Sequence, residues 1–215
     1  MTGPCAEPAP HCPRCPRLCE FRRENAAAHA DWHNGPVPSF GPLSAEPLVI
    51  GLAPGLRGAN RTGRPFTGDY AGDLLFPTLH KFGFAHGTYE ARAGDGLKMS
   101  GARITNAVRC VPPQNKPLPD EARNCRPFLE AEIATMTQLR VILALGVVAH
   151  QQAIRALGCQ PGRFRFGHGV WHDMPAGRPL LVNSYHCSRY NTNTGRLTSG
   201  MFDKVFQDIR QRLKA

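Results

Sequence analysis

Four short apolar runs do most to limit what this chain can fold into: 48–53 (LVIGLA), 103–108 (RITNAV), 140–145 (RVILAL) and 180–185 (LLVNSY). Each is too short for a core helix, rich in β-formers and apolar on both faces, as a strand covered from two sides should be. Stretches with helical spacing separate them. One lies near 71–82, and one carries Leu129, Ile133 and Met136 on a single face behind an expected N-cap at Asp120. Another covers 147–157, and the last sets Phe202, Val205, Phe206, Ile209 and Leu213 opposite Lys and Arg. An earlier helix is expected over 16–34, ended by Gly35-Pro36. Strands alternating with helices predict an α/β protein, a three-layer α/β/α sandwich around a central parallel four-stranded sheet. In such sheets ligands bind beyond the carboxyl ends of the strands, so the loops after Ala53, Val108 and Tyr185 form the expected rim of a site.

The 215 residues suit a single domain over 12–215, with 1–11 as a Pro-rich, flexible leader. No apolar run approaches the ~18 residues of a membrane span. The first ten residues lack the apolar centre of a secretion signal, which leaves a cytoplasmic protein as the expectation. A monomer is expected too, because every apolar stripe is needed for the core. Against 16 Asp and Glu stand 26 Lys and Arg, a net charge of +10, which favours a polyanionic partner, nucleic acid before membrane.

Without a secretion signal, the eight cysteines point to metal binding before disulfides. Cys12-Pro-Arg-Cys15 folds two thiols to one side of a short turn, and Cys110 and Cys125 make a second, wider pair. Four cysteines suit tetrahedral zinc or an iron–sulfur cluster, and spacing does not separate the two. The plain alternative is that Cys110 or Cys125 is a small buried hydrophobe. Cys19, one helical turn beyond Cys15, competes as a ligand, whereas Cys5, Cys159 and Cys187 have no partner at metal spacing.

The three rim loops carry the chemistry. The first, GLAPGLRGANRTGRPFTGD (51–69), has five glycines that let its backbone approach a ligand, and no G-K-[ST] ending for a nucleoside triphosphate. Its Arg57, Arg61 and Arg64 suit phosphates, and Phe66 offers a face to a planar base. Asp69 reads either as a carboxylate of the site or as the first acid of the following helix. Asn106 stands where the second strand ends, with the donor and acceptor that a pyrimidine's amide edge requires. In the third loop, NSYHCSRYNTNTGRLT (183–198), His186 can hydrogen-bond a developing oxyanion or serve structure alone. Ser188, Arg189, Arg196 and Thr198 suit phosphates.

Together GLAPGLRGANRTGRPFTGD, ITNAVRC with its CVPPQNKP continuation, and YHCSRYNTNTGRLT resemble the family 5 (type B) uracil-DNA glycosylases, over nearly the whole chain from Cys12. The resemblance implies a DNA repair enzyme that flips uracil, and deaminated purines such as hypoxanthine, out of the duplex. It then hydrolyses the N-glycosidic bond and leaves an abasic site. It implies a 4Fe-4S cluster on Cys12, Cys15, Cys110 and Cys125, with Cys19 a bystander. It also implies a base pocket of Gly51, Ala53, Gly55, Asn60, Phe66 and Asn106, catalysis by Asp69, His186 and Asn106, and DNA contacts from Ser188, Arg189 and Arg196. Two departures stand out within the wider superfamily. Leu52 and Ala53 occupy positions where several relatives place a water-orienting carboxylate or amide, and Cys187 replaces the proline of an H-P-S turn. The rival reading is an iron–sulfur protein that binds DNA without hydrolysis. It needs the cysteines and the charge but not Phe66, Asn106 and His186 on one rim.

Overall fold

The structure, a computed structural model, describes residues 7–214. In chain order the elements are α1 (Pro16–Ala28), β1 (Pro47–Gly51), α2 (Ala59–Thr62), α3 (Tyr70–Lys81), β2 (Ala85–His86), β3 (Lys98–Met99) and β4 (Arg103–Asn106). There follow α4 (Pro119–Thr135), β5 (Val141–Leu145), α5 (Val147–Ala156), β6 (Trp171–His172), β7 (Leu180–Ser184), α6 (Arg189–Asn193) and α7 (Ser199–Lys214).

The four apolar runs become β1, β4, β5 and β7, mutually parallel in the order β4-β1-β5-β7. A fifth strand, β6, joins antiparallel to β7 at the edge. Two residues long, it leaves no alternating pattern to read, which is why the sequence predicts four strands. A short β2–β3 hairpin lies apart from this sheet.

Alternation along the strands divides the core. Leu48, Ile50, Ile142, Ala144 and Leu181 face α4 and α5, meeting Leu129, Ala149, Ala153 and Ile154. Val49, Ile104, Leu143 and Val182 face α3 and α7, meeting Leu75, Phe76, Leu79, Phe202 and Phe206. Each such aliphatic or aromatic side chain contributes about 1.5–3 kcal/mol by leaving water, so both helical layers are held by the sheet.

Helix ends depart from the sequence reading in two places. α1 stops at Ala28 rather than Asn34. The start of α4 is capped at Leu118, not Asp120: Pro119 takes the first helical position and the Glu121 carboxylate accepts from the Leu118 amide at 2.7 Å. Proline at that position needs no amide partner, which moves the boundary back. Asp120 instead pairs with Arg123 on the surface.

Beneath β4 a buried ionic network ties distant segments together. Glu132 accepts from Arg103 and Arg109, each at 2.6 Å, and both arginines also reach Glu7. Of the expected leader, residues 1–6, Cys5 among them, lie outside the described residues, while Glu7 is tied to the body through these pairs. No helix among the described residues is long and apolar enough to cross a membrane.

Candidate active site and cysteine cavity

Register alone brings the first two rim loops together, because Gly51 at the end of β1 pairs with Asn106 at the end of β4. A Cβ on Gly51 would lie 2.4 Å from both Asn106 Oδ1 and the Phe66 ring, so only glycine lets these two side chains close over the strand end. Gly58 does the same for Asp69, whose Oδ2 stands 2.5 Å from where a Cβ would be. Gly51→Ala is therefore expected to push Phe66 and Asn106 apart and weaken substrate binding by about tenfold or more. Titration of an inactive variant with the uracil-bearing duplex that the sequence resemblance implies, with and without the substitution, would measure this.

Above these strand ends lies a cavity of about 420 Å³ lined by Leu52, Ala53, Pro54, Gly55, Phe66, Asp69, Tyr70, Ala71, Asn106, Asn115, His186, Ser188 and Arg189. It unites residues from the ends of β1, β4 and β7. Phe66 is buried and holds a positive φ of 55°, a strained conformation for a bulky residue. Its ring lies 6.1 Å from that of His186, with 25° between the planes.

Buried partners hold Phe66 in this conformation. Arg64 donates to Thr67 Oγ1 at 2.7 Å and forks onto Asp95 at 2.7 and 2.6 Å, while the Tyr89 hydroxyl points to the Phe66 carbonyl at 3.5 Å. The guanidinium also lies against Phe40, Phe76 and Tyr89. Arg64 is thus a structural ion-pair partner, not the phosphate ligand its loop suggests. A charge in a Gly-rich loop reads as exposed until its partner, 31 residues away, is known.

Hydrogen bonding to Arg64 holds the Asp95 carboxyl well below the usual carboxylate range. The stability this provides is present above about pH 4, the unfolded value, and is lost as pH falls toward the depressed folded one. Arg64→Met, which strands a buried carboxylate, is expected to cost about 3–5 kcal/mol. Urea unfolding at pH 7 would read it, with the acid-side stability loss of Asp95 weakened in the variant.

Asp69 occupies the N-cap position of α3, yet its side chain makes no capping hydrogen bond, and its Oδ1 is buried without a partner among the described residues. Burial raises its pKa, offset in part by the nearby Gly72 and Ala71 amides. The helix-acid reading is right about position, while the carboxylate itself belongs to the cavity wall. His186 also lines the cavity, and burial lowers its pKa to about 4, so the imidazole is neutral at pH 7. Its carbonyl accepts from the Asn191 side chain at 2.8 Å, which fixes the turn. Cys187, where the turn departs from H-P-S, is fully buried in the core.

Other expected residues scatter. Ala53 and Gly55 line the cavity, and Gly51 lies beneath it. Asn60 does not line it: buried, it donates to Asn34 Oδ1 at 3.0 Å and braces the first loop from behind. The third loop contains a helix that its polar sequence did not suggest, α6, with Ser188 as N-cap and the Arg189 guanidinium over the Tyr70 ring at 5.2 Å. Arg196 lies over Tyr185 at 4.6 Å, in a neighbouring cavity that shares His186 and Leu52. Thr198 accepts from the Met201 amide at the start of α7. Sequence reasoning missed Tyr70 and Asn115. The one signal for Asn115 was its Pro-rich loop, which holds it at a φ of 57° at the cavity mouth.

On the far side of Val108, a second, smaller cavity is lined by Cys12, Cys15, Cys19, Cys110 and Cys125, with Arg22, Arg109 and Asn124. The five thiols are free. Burial raises the Cys110 pKa to about 12 and that of Cys125 to about 11. The Arg109 amide points to Cys125 Sγ at 3.3 Å and the Asn124 amide to Cys15 Sγ at 3.9 Å. Among the described residues no three such side chains close on the position of one metal ion. The cysteines line one small cavity, with an amide donor beside Cys125 and another beside Cys15.

Comparison with known proteins agrees with this arrangement. The model of the uracil DNA glycosylase superfamily matches residues 38–210. The type-5 uracil-DNA glycosylase of Thermus thermophilus is 43% identical over 93% of this chain and 93% of its own length. That of Pyrobaculum aerophilum is 38% identical over 87% and 83%, and the type-4 uracil-DNA glycosylase of Sulfurisphaera tokodaii is 32% identical over 79% and 72%. Fold, strand-end site and sequence identity lead to one conclusion: the chain belongs to the uracil DNA glycosylase superfamily, within its type-5 group.

Proposed function

We propose that this protein is a monofunctional DNA glycosylase that removes uracil, and deaminated purines such as hypoxanthine, from DNA. The observation that carries the reading is the cavity that joins Phe66, Asn106, Asp69 and His186 at the carboxyl ends of the strands. A glycosidic bond inside a base stack is out of reach, so the nucleotide must leave the duplex to enter such a cavity. Phe66 would stack on the extruded base and Asn106 pair with its edge. As the bond between the base nitrogen and C1′ breaks, its electron pair goes to the base. The neutral imidazole of His186 donates a hydrogen bond to the oxygen that gains this charge. Water bonds to C1′ and passes its proton to the Asp69 carboxylate. Leu52, Ala53, Pro54 and Ala71 supply apolar walls that suit a broad range of bases. Among the described residues no lysine lines the cavity, in keeping with hydrolysis rather than Schiff-base strand cleavage. Ser188, Arg189 and Arg196 would contact the phosphates around the flipped nucleotide.

Cys12, Cys15, Cys110 and Cys125 would hold a 4Fe-4S cluster. When bound, that group supplies a structural cross-link between the N-terminal segment and the loops around Cys110 and Cys125, not chemistry at the sugar.

The test uses purified protein and labelled duplexes carrying uracil, hypoxanthine or a normal base opposite guanine, with abasic sites revealed by alkali. Cutting at the two damaged bases alone is the expected result. Cluster-loaded protein that binds DNA but cuts no damaged duplex would establish the rival, a non-catalytic iron–sulfur protein.

A further inference from the structure

Four arginines of the described chain are buried: Arg22, Arg64, Arg103 and Arg109. Arg64 pairs with Asp95, and Arg103 and Arg109 pair with Glu132 and Glu7. Among the described residues Arg22 alone of the four has no carboxylate. A guanidinium keeps its charge in proteins, so Arg22 carries a largely buried charge, which is costly unless an anion meets it.

Its surroundings show where that anion belongs. Cys15, Leu18, Cys19 and Arg22 recur at helical spacing and share one face of α1, and all four line the cysteine cavity. Arg22 Nη1 donates to the Pro10 carbonyl at 3.1 Å, and Nη2 donates to the Cys12 carbonyl at 2.7 Å and to Cys19 Sγ at 3.3 Å. Its Nε is buried with no partner among the described residues. One nitrogen of the guanidinium is thus left without a partner among the described residues, on a side chain fixed by three hydrogen bonds, at the wall of a cavity lined by cysteines.

We propose that Arg22 is the counter-charge and hydrogen-bond donor for the anionic cysteine-held group in this cavity, and that it governs how firmly the group is retained and how readily it accepts an electron. This rests on the iron–sulfur reading above. An all-cysteine cluster keeps net negative charge, and donors and cations beside its sulfurs raise its reduction potential. Cys19 acts with Arg22 as a positioning residue: its sulfur accepts from Nη2 at 3.3 Å, while Nε stays without a partner among the described residues.

Wild type, Arg22→Met, Arg22→Lys and the exposed control Arg23→Met would be compared as full-length proteins loaded with iron and sulfide. Iron and sulfide content, visible absorption during exposure to a chelator, and the midpoint potential are read for each. Arg22→Met is expected to lose the group about tenfold faster or more and at a more negative potential. Arg22→Lys should fall between it and wild type, and Arg23→Met should match wild type. Failure of Arg22→Met to take up the group at all, with Arg22→Lys loaded but shifted, leads to the same conclusion. Equal retention and potential in all four would overturn the proposal. So would an Arg22→Met protein whose stability drops as much after chelation as before, because that marks a packing role alone. A wild-type protein that takes up no iron and sulfide would refute the iron–sulfur reading itself, a separate outcome.

Discussion

Asp69→Asn is expected to slow single-turnover excision of uracil from a U:G duplex by about 100- to 10,000-fold while leaving duplex affinity unchanged. The carboxylate stands at the start of α3 but does not cap it, and its buried Oδ1 has no protein partner. A site that keeps an acceptor unsatisfied in this way is ready for a water molecule. Burial raises the Asp69 pKa, which makes its ionised form a stronger base near neutral pH. Activity requires the carboxylate, so it should fall as pH drops through the folded pKa, which burial raises from the ordinary aspartate value. That acid limb should vanish from the residual activity of the variant. The same burial makes an ionised Asp69 a cost to the fold, so the amide variant should melt no lower than wild type. Wild-type rates in the variant would remove Asp69 from the mechanism and leave leaving-group stabilisation to do the work.

His186→Ala is expected to cost about 100- to 1,000-fold in the same assay, through the other half of the bond cleavage. Burial lowers the His186 pKa to about 4, so above that pH the imidazole is neutral and donates a single N–H. A neutral donor can stabilise a developing base anion without first losing its proton to it. The loss in the alanine variant should therefore depend on how much help the leaving base needs. A duplex carrying 5-fluorouracil, whose anion is more stable, should be cut with a smaller penalty than one carrying uracil. Equal penalties on both substrates would show that His186 shapes the pocket and does not stabilise the leaving group. Because the lowered pKa also makes the folded state bind fewer protons than the unfolded, His186 contributes a loss of stability as pH falls from about 6.5 toward 4. Activity at low pH should be corrected for this with the folded fraction measured at each pH.

The parallel sheet and its flanking helices were legible because each strand and each helix declares itself within a few residues, by apolar runs or by helical spacing. The rim of the site followed, since parallel strands place their outgoing loops on one side. Cys12, Cys15, Cys110 and Cys125 were visible as candidates by residue type, and Phe66, Asn106, Asp69 and His186 by their positions after strands.

Long-range contact decided the rest. Arg64 and Asn60 look like ligand residues in a polar loop, and only the partners Asp95 and Asn34 turn them into braces. The two-residue strand β6 exists because β7 offers it an edge, and α6 forms where Ser188 can cap it. Asp69 reads equally well as a cap or as a cavity carboxylate until the direction of its side chain is known. Arg22 reads as one more surface charge on a basic helix until its burial and its unused Nε are seen. Local periodicity is written in neighbouring residues and determines the elements. Which charges meet a partner, and which remain to meet a ligand, depends on segments far apart in the chain and is settled only when they pack.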